Sequence, residues 1–337
     1  MSLIANTHPT LTDVVKRMDP DGTIARIVEM LNQKNAILDD LVVVEGNLPT
    51  GHRTTIRTGI PEPTWRMMYQ GVQPSRSTTV QVTDSIGNLE AYAEVDKDLA
   101  NLNGNTEAFR LSEDAAHIEG MNKEMAETLF YGDERIAPAE FTGLAPRFND
   151  STAENASQLI NAGGTSNLTS IWGIVWGPNT VHGLYPKGST GGLSFRDLGE
   201  VTIENIDGNG GRMQAYRSHY KWQCGLTVRD WRYVFRICNV DTTGLFTETS
   251  GVLENAKKLV RLLIEASERL EDTTSGRPVI YANRRVITAL RLGILEKIAT
   301  NLTWETVAGR RVIVFDDIPV RRVDALHNNE TQVTFAS

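Results

Sequence analysis

The sequence contains only two cysteines, Cys224 and Cys238, which lie fourteen residues apart and form no CxxC pair. A disulfide is therefore not expected, and we predict two reduced, buried thiols. No apolar run approaches the roughly 20 residues that a membrane span needs. The first ten residues also lack the charged and apolar regions of a signal peptide. We expect neither a membrane protein nor one exported by that route.

A basic stripe is missing as well. The net charge of −8 over 337 residues argues against a dedicated nucleic-acid reader, which needs positive charge to neutralise phosphate. Lysine is scarce, with nine lysines against twenty-five arginines. Arginine makes planar, bidentate contacts, so this bias suits a protein with much ordered contact surface, although genomic codon bias gives the same composition. The length predicts two or three lobes rather than one core.

Catalytic signatures are also absent from the sequence. There is no G-x-S-x-G nucleophile elbow and no HExxH helix. The segment Gly183–Thr190 has the spacing of a phosphate-binding loop, but Ser189 stands where the lysine is required, so a β-loop is the better interpretation. We expect no catalytic residue and no cofactor.

Metal ligands are not grouped in the sequence either. Glu94, Asp96 and Asp98 alternate as on one face of a strand, but the glycine of a calcium loop is missing, which favours a solvated acidic edge. The six histidines lack the three- or four-residue spacing that places two on one helical face; they are His8, His52, His117, His182, His219 and His327. We interpret them as structural or surface residues and expect no metal site.

The longest unbroken helical pattern is Thr106–Tyr131. Its apolar residues recur at three- and four-residue steps, which predicts one buried stripe made of Leu111, Ala115, Ile118, Met121, Met125 and Leu129. Gly132 follows as a helix stop. Such a helix is about 40 Å long, which is unusual for a small domain.

Residues 1–50 have the character of an arm. Leu11 and Val15 belong to one short amphipathic segment, Ile24 and Ile27 to a second, and Asp40–Glu45 is strand-like. The arm has too little apolar surface to be stable alone, so these stripes must lie against something else.

Residues 51–100 change to period-two alternation separated by proline and glycine turns, which predicts an extended β-hairpin. Because this hairpin contains few bulky apolar residues, it cannot form a core of its own and should project from the body of the protein onto a neighbour. Its candidate contact residues are Arg53, Arg57, Trp65, Arg66 and Tyr69. The alternative is that the aromatic residues pack on their own lobe.

The rest of the chain predicts α and β elements in turn. Residues 150–165 give a short helix at best, and a β-rich block with four tryptophans follows from 171 to 240. After Ser250 a helix has an apolar stripe that includes Leu253, Ala256, Leu259, Val260, Leu263, Ile264 and Leu270. The last third then predicts a compact lobe with the strand 279–283, a helix 284–298 and the strands 310–315 and 318–326.

These residues leave two interpretations open. One is an enzyme whose site is dispersed along the chain. The other is a structural subunit, in which the coreless arm and loop are buried by further copies of the same chain.

Several stretches resemble one known family, the major capsid proteins of tailed bacteriophages with the Hong Kong 97 fold. The similarity is greatest to coat proteins of short-tailed phages of the epsilon-fifteen type. The stretches that carry the resemblance are DPDG at 19–22, GNLPTGH at 46–52, EVDKDLANLNG at 94–104, LFYG at 129–132 and VWGPNTVHG at 175–183. The resemblance covers almost the whole chain.

The resemblance implies an α+β fold with an N-terminal arm, an extended β-hairpin loop, a long spine helix, and peripheral and axial domains. On this basis residues 1–50 form the arm, 51–100 the extended loop and 101–165 the peripheral domain with spine helix 106–131. Residues 166–245 form a β-rich block shared by both domains, 246–309 the axial domain, and 310–337 return to the peripheral domain. In this chain a β-rich block precedes the axial-type helices, so the strand order inside the axial domain is expected to differ from that of the family's type member.

The resemblance further implies a major capsid protein that self-assembles into the hexamers and pentamers of an icosahedral shell around double-stranded DNA. The implied partners are other copies of the chain, scaffold and portal proteins, a small decoration protein, and packaged DNA bound without sequence specificity. The chain would be part of the virion, assembled in the host bacterial cytoplasm. It lacks the extended-loop lysine of the namesake's covalent cross-link, since no lysine occurs between Lys34 and Lys97. An encapsulin-like compartment shell, which shares the fold, is the alternative.

Overall fold

The computed structural model describes residues 33–101, 106–204, 211–243, 245, 251–295, 302–307 and 310–335. The described helices are α1 Ile37–Asp40, α2 Lys97–Asn101, α3 Thr106–Tyr131, α4 Gly251–Ser267 and α5 Arg284–Leu295, with 3-10 turns at Ala145–Arg147, Glu154–Gln158 and Trp231–Tyr233. The first strands are β1 Val43–Glu45, β2 Gly51–Gly59, β3 Thr78–Asp96, β4 Leu159–Asn161, β5 Leu168–Trp176 and β6 Val181–Tyr185. The remaining strands are β7 Leu193–Glu204, β8 Arg212–Val228, β9 Val234–Asp241, β10 Arg277–Ala282, β11 Leu302–Val307, β12 Arg310–Phe315 and β13 Ile318–Arg322. Among these helices, none is long and apolar enough to cross a membrane.

The described residues divide into two compact units built from separate stretches of chain. The first contains residues 33–34 together with Asn88–Met125 and Gly192–Gln223. The second contains Asn35–Gly87, Ala126–Gly191 and the described part of the chain from Cys224 onward. The long helix and the long strands β3 and β8 each contribute residues to both units.

The first unit is built on a β-sheet in which β8 is a neighbour of β7 and of β3. Strands β7 and β8 pair antiparallel from Leu193 opposite Trp222 to Glu204 opposite Arg212. The helix α3 packs against this sheet through two small clusters. One consists of Val95, Ala100 and Phe109, and the other of Ala93, Met121 and Tyr220. Because these clusters are small, much of the helix surface in this unit stays accessible.

The second unit holds the main hydrophobic core. Its sheet runs β11-β12-β13-β10-β5, and β5 also pairs antiparallel with β9. The helices α4 and α5 pack on this sheet, because their apolar stripes, such as Leu259 and Leu263 on α4 and Val286 and Leu290 on α5, are buried in one cluster with Phe235. The side-chain oxygen of Asn283 accepts a hydrogen bond from the Val286 amide at 3.0 Å and so caps the start of α5.

Most of the predicted elements are confirmed. The helix Thr106–Tyr131 has the predicted bounds, and the chain leaves it at Gly132, where an added Cβ would lie 2.5 Å from the carbonyl oxygen of Phe141. The extended hairpin and the β-rich block are present. Trp172 and Trp176 are fully buried, and Cys224 and Cys238 are free, buried thiols as predicted.

Several boundaries are wrong. The predicted strand Asp40–Glu45 is only Val43–Glu45, because Asp40 ends the helix α1. Within 150–165 the structure has a 3-10 turn and the short strand β4 rather than an α-helix. The last predicted strand ends at Arg322, and the strand β11 was not predicted at all. The predicted helix from Arg284 is described as far as Leu295.

The predicted helical stripes are wrong at their margins. On α3, Leu111 is 71% exposed and Ala115 is exposed, while Phe109 takes the buried position. On α4, Ile264 is 40% exposed although it was assigned to the buried stripe. Periodicity fixes the spacing of an apolar face but not how wide a face the neighbouring elements cover.

The predicted acidic edge of Glu94, Asp96 and Asp98 does not exist as one face. Asp96 ends β3, and its Oδ1 accepts hydrogen bonds from the amides of Asp98 at 2.8 Å and Leu99 at 3.2 Å, so it caps the helix α2. Glu94 forms an ion pair with Arg217 at 2.6 Å. The carboxylates are therefore used separately.

Candidate assembly surfaces

The extended hairpin is the most exposed part of the described chain. Strand β2 pairs antiparallel with the first part of β3, from Gly51 opposite Ser85 to Arg57 opposite Thr79. Threonine and β-branched residues fill both strands, which suits a ribbon with little core contact. Residues 60–77 join the strands without helix or strand, and every side chain in that stretch is exposed.

The tip of this loop presents large side chains to solvent. Trp65 and Tyr69 have exposed fractions of 101% and 104%, and Met68 is 87% exposed. Tyr69 adopts a positive φ of 68°, a conformation that is uncommon for a bulky residue, in a turn where the Gln70 amide donates to the Met67 carbonyl oxygen. The alternative that the aromatic residues pack on their own lobe is wrong.

The predicted contact arginines lie on the same excursion. Arg53 and Arg57 are exposed on one face of β2, and Arg66 is exposed at the tip. Arg53 donates from Nε to the Thr83 hydroxyl at 3.3 Å. Residues 51–79 contain four arginines and one glutamate, a net charge of +3 in a chain of −8. The remaining predicted contact residues, Leu11, Val15, Ile24 and Ile27, lie outside the described residues.

A buried ionic cluster holds the root of the hairpin. The side chain of Asp84, at the end of the paired segment, is 3% exposed and lies 2.8 Å from Nη1 of Arg147. The Thr227 hydroxyl donates to its second oxygen at 2.8 Å. Gly225 allows the backbone to approach closely, since a Cβ there would lie 2.5 Å from the Ser85 carbonyl oxygen.

Two histidine rings also meet at this root. The rings of His52 and His182 are 5.9 Å apart in an edge-to-face arrangement. His182 is 1% exposed, and neither ring nitrogen has a hydrogen-bond partner of normal geometry among the described residues. Burial lowers the pKa of His182 to about 4, and the nearby His52 and Arg229 add to the effect. Burial also lowers the pKa of His52.

A second buried carboxylate links α1 to strands β10 and β13 within the second unit. The Asp40 side chain is fully buried and lies 2.9 Å from Arg277 and 2.8 Å from Arg321. Tyr281 donates its hydroxyl to Asp40 at 2.9 Å, and Trp176 donates from Nε1 to the Tyr281 hydroxyl oxygen at 2.8 Å. Burial raises the pKa of Asp40 in spite of both arginines.

A third cluster holds the C-terminal stretch. The Glu330 side chain, 5% exposed, lies 2.8 Å from Nη2 of Arg236, which is 4% exposed. Ser170 and Tyr131 donate their hydroxyls to the two oxygens of Glu330, at 2.5 Å and 2.6 Å. Burial, and then the charge of Glu330, raise the pKa of Tyr131.

The exposed side of α3 forms a further surface. It carries Ala116 and Gly120, both exposed and four residues apart on one side of the helix; Leu111 and Ala115 are also exposed but lie on the other side. Beside it lies an open groove of about 340 Å³, lined by Leu89, Glu90, Ala91, Ala116, His117, Gly120, Met121 and Glu124. We call this groove and the exposed side of α3 the helix face.

The buried charges were missed, although a signal existed. Asp84 and Arg236 are single charged residues inside or beside apolar segments, and Asp40 follows Asp39 beside the apolar run from Leu41 to Val44; a charge buried in such a place is retained only if it is paired. Their partners Glu330 and Arg147 are 94 and 63 residues away in the chain, so no local pattern could identify them.

The segment Gly183–Thr190, which has the spacing of a phosphate-binding loop, contains the end of β6 and part of the connection to β7. Gly183 and Tyr185 belong to β6, and the Ser189 amide donates to the Pro186 carbonyl oxygen at 3.1 Å. The Gly188 amide donates a hydrogen bond to the carboxylate of Glu45 at 2.7 Å. This amide is therefore already hydrogen-bonded within the chain. No group of three metal-ligating side chains occurs within the described ranges. The surfaces found here are suited to binding other chains.

Comparison with known proteins shows the family of the chain. The sequence model of the major capsid protein GP7 family matches residues 19–334. Among solved structures, a chain of bacteriophage Epsilon15 is 37% identical, with all of both chains covered and a TM-score of 0.77. No curated protein has a matching sequence.

Two remoter structures are similar to this chain. The capsid of bacteriophage JBD30 is 9% identical, with 91% of this chain and 99% of that chain covered and a TM-score of 0.44. The SrpI encapsulin of Synechococcus elongatus PCC 7942 is 14% identical, with 72% and 100% covered and a TM-score of 0.42. The family match spans nearly the whole sequence, and the Epsilon15 likeness spans all of it. The chain therefore belongs to the major capsid protein GP7 family, and its fold is the Hong Kong 97 fold of phage capsids.

Proposed function

We propose that many copies of this capsid protein assemble into the hexamers and pentamers of an icosahedral shell that encloses double-stranded DNA. The observation that carries the proposal is the extended loop, whose Trp65 and Tyr69 are fully exposed on a chain of this family. Large aromatic residues of this kind are enriched at the centres of protein interfaces. A neighbouring copy is the partner that a closed, symmetric assembly always supplies.

The parts of the chain are proposed to divide this work. Residues 1–50 serve as the arm, 51–100 as the extended loop, 101–165 and 310–337 as the peripheral domain, and 246–309 as the axial domain, with 166–245 shared. One observation bears on these boundaries: β12 and β13 belong to the sheet on which α4 and α5 pack, so at least residues 310–322 lie with the axial helices.

Contacts at the arm and loop are proposed to supply most of the shell's strength. We expect each obligate interface to bury about 2,000 Å² or more, summed over all contacting segments. The contact residues proposed for the loop are Arg53, Arg57, Trp65, Arg66 and Tyr69, and those for the arm are Leu11, Val15, Ile24 and Ile27. The chain's negative charge would repel packaged DNA from the inner wall and allow dense filling without sticking.

The remaining partners belong to the same proposal. A scaffold protein, a portal protein and a small decoration protein would act with the shell, which would assemble in the host bacterial cytoplasm and persist in the virion. The chain would bind partners rather than catalyse a reaction.

Electron microscopy of the expressed protein, alone and with a co-expressed scaffold, tests the proposal. We expect closed shells or separate capsomers. A chain that stays monomeric at tens of micromolar with and without scaffold would contradict it. Co-purifying enzyme cargo in place of DNA would instead support an encapsulin-like compartment.

A further inference from the structure

We infer that the contact between His52 and His182 is an acid-sensitive latch, which holds the root of the extended hairpin against strands β6 and β8 at neutral pH and opens in mild acid. We call the cross-strand pair of His52 on β2 and Asp84 on β3 the root pair. The inference concerns a single copy of the chain, so it goes beyond the proposed function and its test needs no shell.

The first argument is how the root pair meets the sheet. His182 on β6 lies opposite Thr227 on β8, so a second cross-strand pair faces the root pair. The two pairs are joined at two points. The rings of His52 and His182 meet edge to face with their centroids 5.9 Å apart, and the Thr227 hydroxyl donates to Asp84 at 2.8 Å. One of the two joints therefore consists of rings that gain a charge when a proton binds.

The second argument is that the closed latch has no place for a proton. His182 is 1% exposed, and neither of its ring nitrogens has a hydrogen-bond partner of normal geometry within the described chain. The nearby Gly177 carbonyl oxygen already accepts from the Thr180 amide at 3.2 Å. A protonated ring would bury two N–H donors and a charge without acceptors, which is strongly unfavourable. The proton can therefore bind only after His182 has left His52 and reached water.

The third argument is the charge around the two rings. The charge of Asp84 favours a proton on His182, but Arg147 lies 2.8 Å from this carboxylate and already uses it. The charges of Arg229 and of a protonated His52 oppose a proton on His182. With two arginines and one carboxylate, the site has a net positive charge before any proton binds. The neighbouring strands place uncharged residues at this level, namely Val43 of β1, Trp176 of β5 and Thr227 of β8.

These arguments fix the direction and the range of the response. A histidine in water binds a proton near pH 6.5, whereas burial lowers the pKa of His182 to about 4. Between these values the open state takes up a proton that the closed state lacks, so the open population rises as the pH falls. At pH 5 it should be roughly tenfold or more above its value at pH 7.5. At neutral pH the ring is uncharged in both states and the latch stays closed.

The test is hydrogen exchange of the full-length protein, followed by mass spectrometry at pH 7.5 and pH 5. Peptides that cover residues 47–53 and 82–87 report on the root, where the Ile86 amide donates to the Thr50 carbonyl oxygen at 3.2 Å. Residues 279–282 of β10 are buried in the main core and serve as the internal reference. Because intrinsic exchange rates depend on pH, protection factors are compared rather than rates.

We expect the protection of the root peptides to fall at least tenfold relative to that of β10 between pH 7.5 and pH 5. Carboxyl side chains ordinarily take up protons near pH 4, so pH 5 keeps them largely ionised and isolates the histidines. Equal protection of the root at the two pH values would overturn the inference, whatever the variants do.

His182→Phe is the matched variant. Phenylalanine keeps a ring against His52 and cannot bind a proton, and no hydrogen bond of normal geometry is lost with the two nitrogens. Its root peptides should be equally protected at pH 7.5 and pH 5. His182→Gln also removes the proton site, with a smaller side chain, and gives the same comparison if the larger ring disturbs the sheet. A full acid response in a folded variant of either kind would overturn the inference, because the proton would then bind elsewhere.

His327→Gln is the control for histidines outside the root. The side chain of His327 is 42% exposed, and its Nε2 lies 3.1 Å from Glu127. This variant should keep the full acid response at the root. If it lost the response as completely as His182→Phe, the effect would not be specific to the latch and the inference would be wrong.

The outcome is separate from that of the proposed function. A chain that forms shells but shows no acid response at its root keeps the proposed function and loses the latch. A chain whose root opens at pH 5 but which forms no shell with or without scaffold keeps the latch and loses the proposed function.

Discussion

Single buried charges hold distant parts of this chain together. The pair of Arg236 and Glu330 joins strand β9 to the C-terminal stretch, and both side chains are almost completely buried. Arg236 also donates from Nη1 to the Phe148 carbonyl oxygen at 2.7 Å, so its guanidinium is held on several sides. A fully satisfied pair of this kind adds little net stability over a hydrophobic pair, but it is costly to break.

We predict that Glu330→Gln destabilises the protein by about 3 kcal/mol, because it leaves the buried Arg236 cation without its counter-charge. The measurement is the urea midpoint of the purified capsomer followed by tryptophan fluorescence. Glu254→Gln is the control, since Glu254 pairs with Lys257 at an exposed site and the substitution should leave the urea midpoint unchanged. Similar urea midpoints for the two variants would show that the ion pair of Glu330 with Arg236 does not stabilise the fold.

At the scale of elements, the hairpin is held at its root and exposed at its tip. The hairpin projects because its alternating strands bury little, and its position depends on the cluster at its root, where Arg147 pairs with Asp84. Arg147 also donates to the carbonyl oxygens of Thr142, Gly143 and Leu226. The root therefore sets the direction of the loop, while the tip remains available to another chain.

The root should respond to acid through His182. Its folded pKa of about 4 lies below the ordinary value of 6.5, so between these values the unfolded chain binds a proton that the folded chain does not. Stability is therefore lost as the pH falls from about 6.5 to about 4, and this site causes no further loss below that. The total should be about 2 kcal/mol after allowance for solvent screening.

The measurement is the melting temperature of capsomers as a function of pH, compared with the variant His182→Gln. Glutamine does not titrate, so the difference between the two curves isolates this site from the other carboxylates and histidines. The unsubstituted protein should lose stability more steeply between pH 6.5 and 4. Parallel curves over this interval would contradict the assignment of a neutral, buried His182.

For the whole molecule, the distribution of charge and lysine limits how a shell can be strengthened. The basic loop and the acidic remainder favour contacts between unlike parts of neighbouring copies. Residues 51–96 contain no lysine, and Lys97 lies beyond the hairpin at the start of α2, where it pairs with Glu200, so an isopeptide cross-link from the hairpin is not available. Strength must come from intertwined segments or from a cement protein.

We predict that purified shells boiled in denaturing detergent release single chains. A reducing gel should show one band near 37.3 kDa and no covalent multimers. Shells before boiling should fail to enter the gel, which serves as the control for assembly. A ladder of multimers that survives reduction would show that a cross-link forms from some lysine outside the loop.

Local periodicity was enough to predict the elements whose length and alternation are strong. The helix Thr106–Tyr131, the extended hairpin and the two helices of the main core follow from apolar spacing and, for the long helix, from the stop residue Gly132. The family also follows from the sequence, since the motifs that carry it are contiguous. In these cases the determining interactions lie within a few residues of one another.

Tertiary structure alone decided which surfaces are covered and which charges are paired. Leu111 has the spacing of a core residue, yet it is 71% exposed, whereas Phe109 on the same helix is buried with Val95 and Ala100. Asp40 and Glu330 look like ordinary acidic residues, yet arginines far away in the sequence pair with them in the interior. Burial and pairing depend on which distant elements meet, and local spacing holds no information about that.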